Sequence, residues 1–147
     1  MIYKNRKESS LEKKAKKTVG PLFGAQDIDT TILQTITYQY PRRKINVELT
    51  SQEFSCVCPF SGLPDFAYLT IQYVPRKKLI ELKSLKYYLY AFRNVKIYNE
   101  HVVNKILEDL RKALDPYELT VTGEFTVRGG IKNKVSAQYR AKKRQKG

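Results

Sequence analysis

The spacing of apolar residues along the chain is the feature that most constrains its fold. Apolar and polar residues alternate in two stretches, apolar residues then recur every three or four positions in two more, and alternation returns in the last two. Alternation predicts half-buried strands, and the three-and-four spacing predicts amphipathic helices. The predicted elements are strands at 44–50 and 66–74, helices at 84–92 and 100–114, and strands at 117–127 and 131–139.

This order, ββααββ, predicts an α+β fold in which an antiparallel sheet carries two helices on one face. Ser84 and Asn99 are the expected N-caps, and Pro116 ends the second helix. We expect residues 21–35 to form a loop or short helix, and residues 79–82 to form an extended segment after a turn. A small sheet of this kind has exposed edges, so we expect oligomerisation through them.

Positive charge is concentrated at the two ends of the chain. The net charge of the 147 residues is +14, of which residues 1–17 hold +5 and residues 131–147 hold +7. We therefore expect a basic arm at 1–20, one folded domain at 21–139 and a basic tail at 140–147. Basic tails can bind nucleic acid by releasing counterions, although solubility is the favoured role here.

Several classes of protein are excluded by what the sequence lacks. It has no apolar run long enough to span a bilayer and no apolar core in the first residues, so we expect a cytoplasmic protein rather than a membrane or secreted one. Two cysteines and one histidine are too few for a disulfide framework or for a structural metal site.

Cys58 and Asp65 are the first candidate pair. They flank a loop with two prolines and one glycine, which can fold back and bring both side chains to one pocket. A thiolate is a natural nucleophile for a polarised carbon, and a carboxylic acid can pass protons. The alternative is a buried structural cysteine and an aspartate that only serves the turn.

Two helix starts supply further candidates. Lys83 and Lys86 share a helix face, and together with Ser84 at a helix N-terminus they suit a phosphate, while Glu81 could accept hydrogen bonds from a base. Glu100 complements the dipole of the second helix, which is already a structural reason for it. For residues 81–86 the alternative is a solvated charged face.

Longer segments of the sequence resemble one family. Residues 58–67, CPFSGLPDFA, and residues 81–88, ELKSLKYY, are similar to two characteristic segments of the QueF family of NADPH-dependent 7-cyano-7-deazaguanine reductases. Residues 90–94, YAFRN, and 125–130, FTVRGG, also resemble family segments. The resemblance therefore extends from about residue 44 to 130.

The resemblance implies the tunnelling fold, or T-fold, in which ββααββ subunits join their edges into multimeric barrels. Short members of this kind form double rings, with active sites at subunit interfaces. The implied chemistry is attack of Cys58 on the nitrile as a thiolate, giving a covalent thioimide, with Asp65 as the proton donor. Reduction of the nitrile to the primary amine takes four electrons and hence two NADPH.

The resemblance also assigns the remaining residues. Ile80, Glu81 and Leu82 would line the substrate site, and Glu100 would accept hydrogen bonds from the deazaguanine edge. Independently of the resemblance, we expect Lys83, Ser84, Lys86 and Arg128 to bind the cofactor phosphates. Many members have histidine just before that glutamate; this chain has Asn99 there and His101 one place after it, and an amide can still hydrogen-bond a base.

Three alternatives stay open from the sequence. An archaeal QueF-like amidinotransferase would use the same thioimide on tRNA without NADPH to form archaeosine, and the basic tails suit that substrate. A pterin enzyme such as a GTP cyclohydrolase shares the fold but needs zinc ligands that one histidine can scarcely supply. A nucleic-acid-binding module would leave the Cys58–Asp65 pair unexplained.

Overall fold

A computed structural model of the chain describes residue 10 and residues 21–143, so the predicted arm at 1–20 lies almost wholly outside the described residues. The predicted tail at 140–147 is described only as far as residue 143. The strands are β1 (Thr35–Thr37), β2 (Val47–Val57), β3 (Pro64–Val74), β4 (Lys78–Ile80), β5 (Glu118–Arg128) and β6 (Ile131–Arg140); the helices are α1 (Leu82–Tyr90) and α2 (Asn99–Leu114). Short 3-10 turns occupy Ala25–Asp27, Thr30–Ile32 and Ala91–Asn94.

Four strands form the main sheet in the order β2-β3-β5-β6, and every neighbouring pair is antiparallel. Alternate residues of β3 face opposite sides: Leu69 and Ile71 are buried, whereas Tyr68 and Gln72 are exposed. The buried side packs against α1 and α2, which lie between β3 and β5 in the chain. The α+β class and the ββααββ order are therefore confirmed.

A second, two-stranded sheet was not predicted. β1 pairs with β4 antiparallel, and Thr35 lies opposite Ile80. Strands of three residues are too short to show an alternating pattern, so the sequence marked this region only as loop and extended chain.

The core between helices and sheet is made by regularly spaced apolar residues. The stripe of α2 includes Val103, Ile106, Leu110 and Leu114, all almost completely buried. The only buried charged residue in the described chain is Asp109, which accepts a hydrogen bond from the Tyr88 hydroxyl (2.7 Å) and pairs with Lys105 (2.8 Å). This network ties α1 to α2 and leaves no unpaired charge in the core.

Both predicted helix caps are wrong. Glu81 caps α1, and its carboxylate accepts hydrogen bonds from the backbone N–H groups of Lys83 (2.8 Å) and Ser84 (2.6 Å). Ser84 lies inside the helix, and its hydroxyl contacts Gln34 of an earlier segment instead. Tyr98 precedes α2 without a side-chain cap, which places Asn99 in the first turn.

The first predicted strand was too short. β2 begins at Val47 and continues to Val57, with a register shift between Ser51 and Phe54. The bulge places consecutive polar residues within one strand and thereby interrupts the alternation on which the prediction depended. β3 begins at Pro64, so Asp65 lies in a strand rather than at the end of a loop. Neither helix of the described chain has the length and apolar character needed to cross a bilayer.

Candidate active site at one end of the sheet

One end of the main sheet brings together residues that are far apart in the sequence. Because the four strands are antiparallel, the end of β2 lies beside the start of β3, the end of β5 and the start of β6. Cys58 follows β2, Asp65 is the second residue of β3, and Arg128 is the last residue of β5. The hairpin geometry therefore places all three at the same end.

The backbone of Cys58 is fixed by the loop that follows it. Its N–H donates to the Leu63 carbonyl (2.9 Å), and its own carbonyl accepts from the Gly62 N–H (2.9 Å). Gly62 has φ 71, a left-handed conformation that a side chain would oppose. The Cys58 side chain remains only partly buried, so a reactant can approach its sulfur.

Asp65 is held in a polar but confined position. Its side chain is 13% exposed, and its Oδ1 lies 3.2 Å from the Arg128 Nε. Burial raises the pKa of the Asp65 carboxyl, and the positive charge of Arg128 acts in the opposite direction. The proton affinity of Asp65 is therefore set by two opposing effects, burial and the charge of Arg128. Such a balance suits a residue that acts as an acid.

Cys56 shares this region but is chemically silent. It lies opposite Asp65 in the strand ladder and is 0% exposed. Burial raises the pKa of its thiol to about 12, and the charges of Asp65 and Cys58 add to the effect. Because the thiolate is the nucleophilic form, the buried Cys56 is poorly suited to attack a substrate, whereas the Cys58 thiol is only partly buried.

The start of α2 is attached to the same end of the sheet. The Val57 N–H donates to the Val95 carbonyl (2.9 Å), and the Ile97 N–H donates to the Val57 carbonyl (3.0 Å). These two bonds place the residues that begin α2 next to Cys58. The helix thus adds Asn99 and Glu100 to the group formed by Cys58 and Asp65.

Asn99 and Glu100 both present acceptor oxygens. The Asn99 Oδ1 is buried and has no hydrogen-bond partner within the described residues. One Glu100 oxygen accepts from the Asn133 Nδ2 on β6 (3.1 Å). A buried acceptor without a partner costs about 1–3 kcal/mol, which a ligand N–H would recover. His101 is exposed, and its ring packs edge-on at 5.9 Å from Tyr98.

Asn133 is a site residue that the sequence did not suggest. It contacts Glu100 only because β6 returns beside β5 and brings its third residue to the start of α2. No pattern within residues 131–139 distinguishes it from the other polar residues of that strand. Among residues 21–143, no three His, Cys, Asp or Glu side chains converge on a position that could hold a metal ion.

The remaining predicted site residues form a second group around the start of α1. The Glu81 carboxylate is occupied by its capping bonds, which lower its pKa. Lys83 and Lys86 are exposed, whereas the Ser84 hydroxyl is buried and bonded to Gln34 and to the Glu81 carbonyl. A cavity of about 490 Å³ opens here, lined by Ile32, Gln34, Glu81, Lys83, Ser84 and Tyr87.

One chain does not bring the two groups together. The Ile80 N–H donates to the Tyr73 hydroxyl (3.1 Å), so the α1 group lies beside the far part of β3. Tyr73 is eight residues beyond Asp65 on that strand, a distance of about 27 Å at the usual rise. The predicted residues thus divide into Cys58, Asp65, Asn99, Glu100 and Arg128 at one end, and Ile80, Glu81, Lys83 and Ser84 around the far part of β3. Leu82 and Lys86 line another cavity together with residues of β2 from Glu48 to Phe54.

Comparison with known proteins gives a consistent result. A family model described as QueF-like protein matches residues 64–144. The chain is 55% identical over 118 residues to the NADPH-dependent 7-cyano-7-deazaguanine reductase of Caldicellulosiruptor bescii, covering 80% of this chain and 90% of that protein. It is 50% identical over 121 residues to the protein of the same name from Thermoanaerobacter pseudethanolicus, covering 82% and 91%.

A solved structure shares the fold. The archaeosine synthase QueF-Like in its apo form superposes with a TM-score of 0.59, at 21% identity, over 68% of this chain and 96% of that one. At this identity the superposition supports the architecture, not a shared reaction.

Proposed function

Because the chain belongs to the family of QueF-like proteins, we propose that it is an NADPH-dependent reductase that converts the nitrile of 7-cyano-7-deazaguanine into the 7-aminomethyl group, a step of queuosine biosynthesis. The observation that carries the proposal is the pairing of a partly buried Cys58 thiol with a confined Asp65 carboxyl at one end of the sheet. We expect the enzyme to act in the cytoplasm.

The two residues divide the first step between them. The Cys58 sulfur, as thiolate, forms a bond to the nitrile carbon, and one π pair of the C≡N bond moves to nitrogen. Asp65 gives its proton to that nitrogen, which yields a neutral thioimide on Cys58 and an aspartate beside Arg128. Arg128 stabilises the carboxylate so formed, since its Nε lies 3.2 Å away.

The base of the substrate would be held by Glu100 and Asn99. A deazaguanine presents N–H donors, and both residues offer acceptor oxygens near Cys58. In particular, the Asn99 Oδ1 is buried without a partner among the described residues. This unpartnered oxygen supports a base-binding role for Asn99, at the position where many family members have histidine.

The cations present fit a phosphorylated dinucleotide. Lys83 and Lys86 are exposed on one face of α1, and two cations at helical spacing suit a phosphate group. The Ser84 hydroxyl is already bonded within the fold, so we assign the phosphate contacts to the lysines and to Arg128. NADPH, when bound, supplies hydride, and the four-electron reduction of a nitrile uses two equivalents.

The complete site needs more than one chain. The Ile80 N–H is bonded to the Tyr73 hydroxyl, and Tyr73 lies about 27 Å from Asp65 along β3 of the same chain. The edge strands β2 and β6 each have one side that pairs with no other strand in the described structure, apart from the two bonds that join Val57 to Val95 and Ile97. We therefore propose a homo-oligomer, built by joining these edges into a ring and doubled as in short family members, whose active sites lie between subunits.

The reaction is tested by the loss of NADPH absorbance when purified protein meets 7-cyano-7-deazaguanine. We expect oxidation of two NADPH per nitrile, with a product mass that corresponds to the amine. A stable adduct on Cys58 without NADPH oxidation would instead indicate transfer of ammonia, as in an amidinotransferase. If neither NADPH oxidation nor a Cys58 adduct were seen, the proposed reaction would be excluded and only the fold assignment would stand.

The interface site has its own test. Cys58→Ala removes the nucleophile, and Lys83→Ala/Lys86→Ala removes the phosphate contacts; each variant alone should be inactive or severely impaired. When the two are co-assembled, about a quarter of the interface sites should combine the intact halves and regain activity. No recovery in mixed assemblies would show that each chain builds its own site.

A further inference from the structure

The other end of the main sheet carries a strongly basic cavity. It measures about 780 Å³ and lies where β3 ends, β5 begins and β6 ends. Six of its lining side chains are cationic: Lys44, Arg76, Lys77, Arg140, Lys142 and Lys143. Two carboxylates, Asp115 and Glu118, also line it. The lining therefore has a surplus of four positive charges.

Few of these cations are neutralised by the protein. Arg76 lies 3.8 Å from the Asp115 Oδ2, and that aspartate is itself 71% exposed. Within the described residues, no carboxylate lies at ion-pair distance from Lys77, Lys142 or Lys143, and all three are exposed. Like charges gathered in a concave surface repel one another and concentrate a positive potential that favours a polyanion.

Tyr117 organises this cluster. The Lys44 Nζ lies 4.8 Å from its ring centre and the Arg76 guanidinium carbon 4.6 Å, so one ring interacts with two cations. The Tyr117 N–H donates to the Val74 carbonyl, and its own carbonyl accepts from the Ala141 N–H, both at 2.9 Å. These bonds fix the backbone of Tyr117 and hold Ala141, and with it the basic residues that follow, against the folded domain.

The cavity is remote from the Cys58 group of the candidate active site, and its lining shares no residue with the group around the start of α1. Val74, at the end of β3 beside the cavity, is nine residues beyond Asp65, a distance of about 30 Å along the strand. The cavity also differs in chemistry, since it has neither a thiol nor a buried carboxyl among its lining residues. An anion bound here therefore has no contact with Cys58 of the same chain.

We infer that this basic cavity binds the phosphate backbone of a nucleic acid. Its cations come from three segments of the chain and line a concave surface, which matches a convex, extended polyanion better than a flat lipid surface. The ring of Tyr117 is already engaged by Lys44 and Arg76, so it is not offered for stacking on a base. Binding should therefore depend on phosphates and salt rather than on sequence.

The inference is tested by fluorescence anisotropy of a short labelled RNA duplex titrated with the full chain at several salt concentrations. Binding should weaken linearly on a logarithmic salt scale. Lys77→Gln/Lys143→Gln should weaken binding and reduce the magnitude of that slope by about two, since each lysine contributes about one released counterion. Both side chains are exposed, so the fold should not change.

A matched control removes the same charge elsewhere. Lys132 and Lys134 lie near the opposite end of the sheet, 3.6 and 3.9 Å from Glu124, and Lys132→Gln/Lys134→Gln should leave the affinity and slope near those of the unaltered chain. Equal losses in the two double variants would overturn the inference, because they would indicate a response to net charge alone.

Two further experiments distinguish a nucleic acid from other ligands that carry phosphate. Tripolyphosphate should displace the duplex no better than sodium chloride of equal ionic strength. Displacement at much lower concentration would indicate a site for a small phosphate compound and would overturn the inference. Binding to anionic phosphatidylserine vesicles, with none to the duplex, would overturn it in favour of a membrane surface.

Discussion

The Arg128 Nε lies 3.2 Å from the Asp65 Oδ1, and the same guanidinium also donates to the Pro64 carbonyl. This contact joins the end of β5 to the start of β3 across the candidate active site. It occurs immediately before a turn in which Gly129 and Gly130 both have positive φ, 57 and 75. Arg128 is thus held over Asp65 by a turn that depends on glycine.

Removal of the Arg128 charge should change the acidity of Asp65. Arg128 opposes the effect of burial on the Asp65 pKa, so Arg128→Gln should raise that pKa further. The yield of the Cys58 adduct, measured by intact mass in the absence of NADPH across a pH series, should change as Asp65 ionises. In Arg128→Gln this change should occur at higher pH. Arg128→Lys keeps the charge and should shift the profile less. An unchanged profile in Arg128→Gln would show that Arg128 does not influence the acidity of Asp65.

Arg128 should have a second, separable effect on the cofactor. We propose that it also contacts a phosphate of NADPH, so Arg128→Gln should raise the KM for NADPH. Adduct formation needs no NADPH and reports only on Asp65. A shift in the adduct profile with an unchanged KM would therefore retain the Asp65 role and exclude the phosphate contact.

Asp65 should contribute to the rate at the expense of stability. Its pKa is raised in the folded chain, so the folded state binds this proton more readily than the unfolded state does. Stability should then fall as pH rises from the ordinary pKa through the raised one, and the ionised Asp65 should be unfavourable at neutral pH.

Asp65→Asn removes this ionisation. We expect its Tm at neutral pH to equal or exceed that of the unaltered chain, with a smaller pH dependence in thermal melts. Turnover should fall by about 10²-fold or more because the proton donor is lost. A lower Tm together with normal turnover would contradict both parts.

The two cysteines should respond oppositely to substitution. Cys58→Ala should abolish adduct and turnover while leaving the Tm near normal, because Cys58 is only partly buried. Cys56→Ala should retain the adduct but lose about 1 kcal/mol of stability, since a fully buried sulfur is replaced by a smaller group. Near-normal turnover in Cys58→Ala would exclude the thioimide mechanism.

Gly123 should be intolerant of a side chain. A Cβ there would lie 2.9 Å from a ring carbon of Phe125 and 3.0 Å from a methyl carbon of Val103, so β5 and α2 would have to move apart. We expect Gly123→Ala to lower the free energy of unfolding by about 1–3 kcal/mol in urea denaturation. Thr126→Ala, at an exposed position of the same strand, is the control and should change it little.

The sequence by itself determined the main elements and their order, because apolar periodicity is a local property. It also indicated Cys58 and Asp65, since a short loop between paired strands brings its two ends together whatever the rest of the chain does. The same locality explains the failures: the bulge of β2 hid half of that strand, and β1 and β4 were too short to show a pattern.

The tertiary structure decided everything that depends on distant segments. Arg128 meets Pro64 across 64 residues of chain, and Asn133 meets Glu100 across 33. Both contacts follow from strand register, which no single segment encodes. Folding also assigned Glu81 rather than Ser84 to cap α1, because the Ser84 hydroxyl found Gln34. Most importantly, it placed Ile80 beside Tyr73, eight residues along β3 from Asp65, because a strand is stiff and holds its two ends apart.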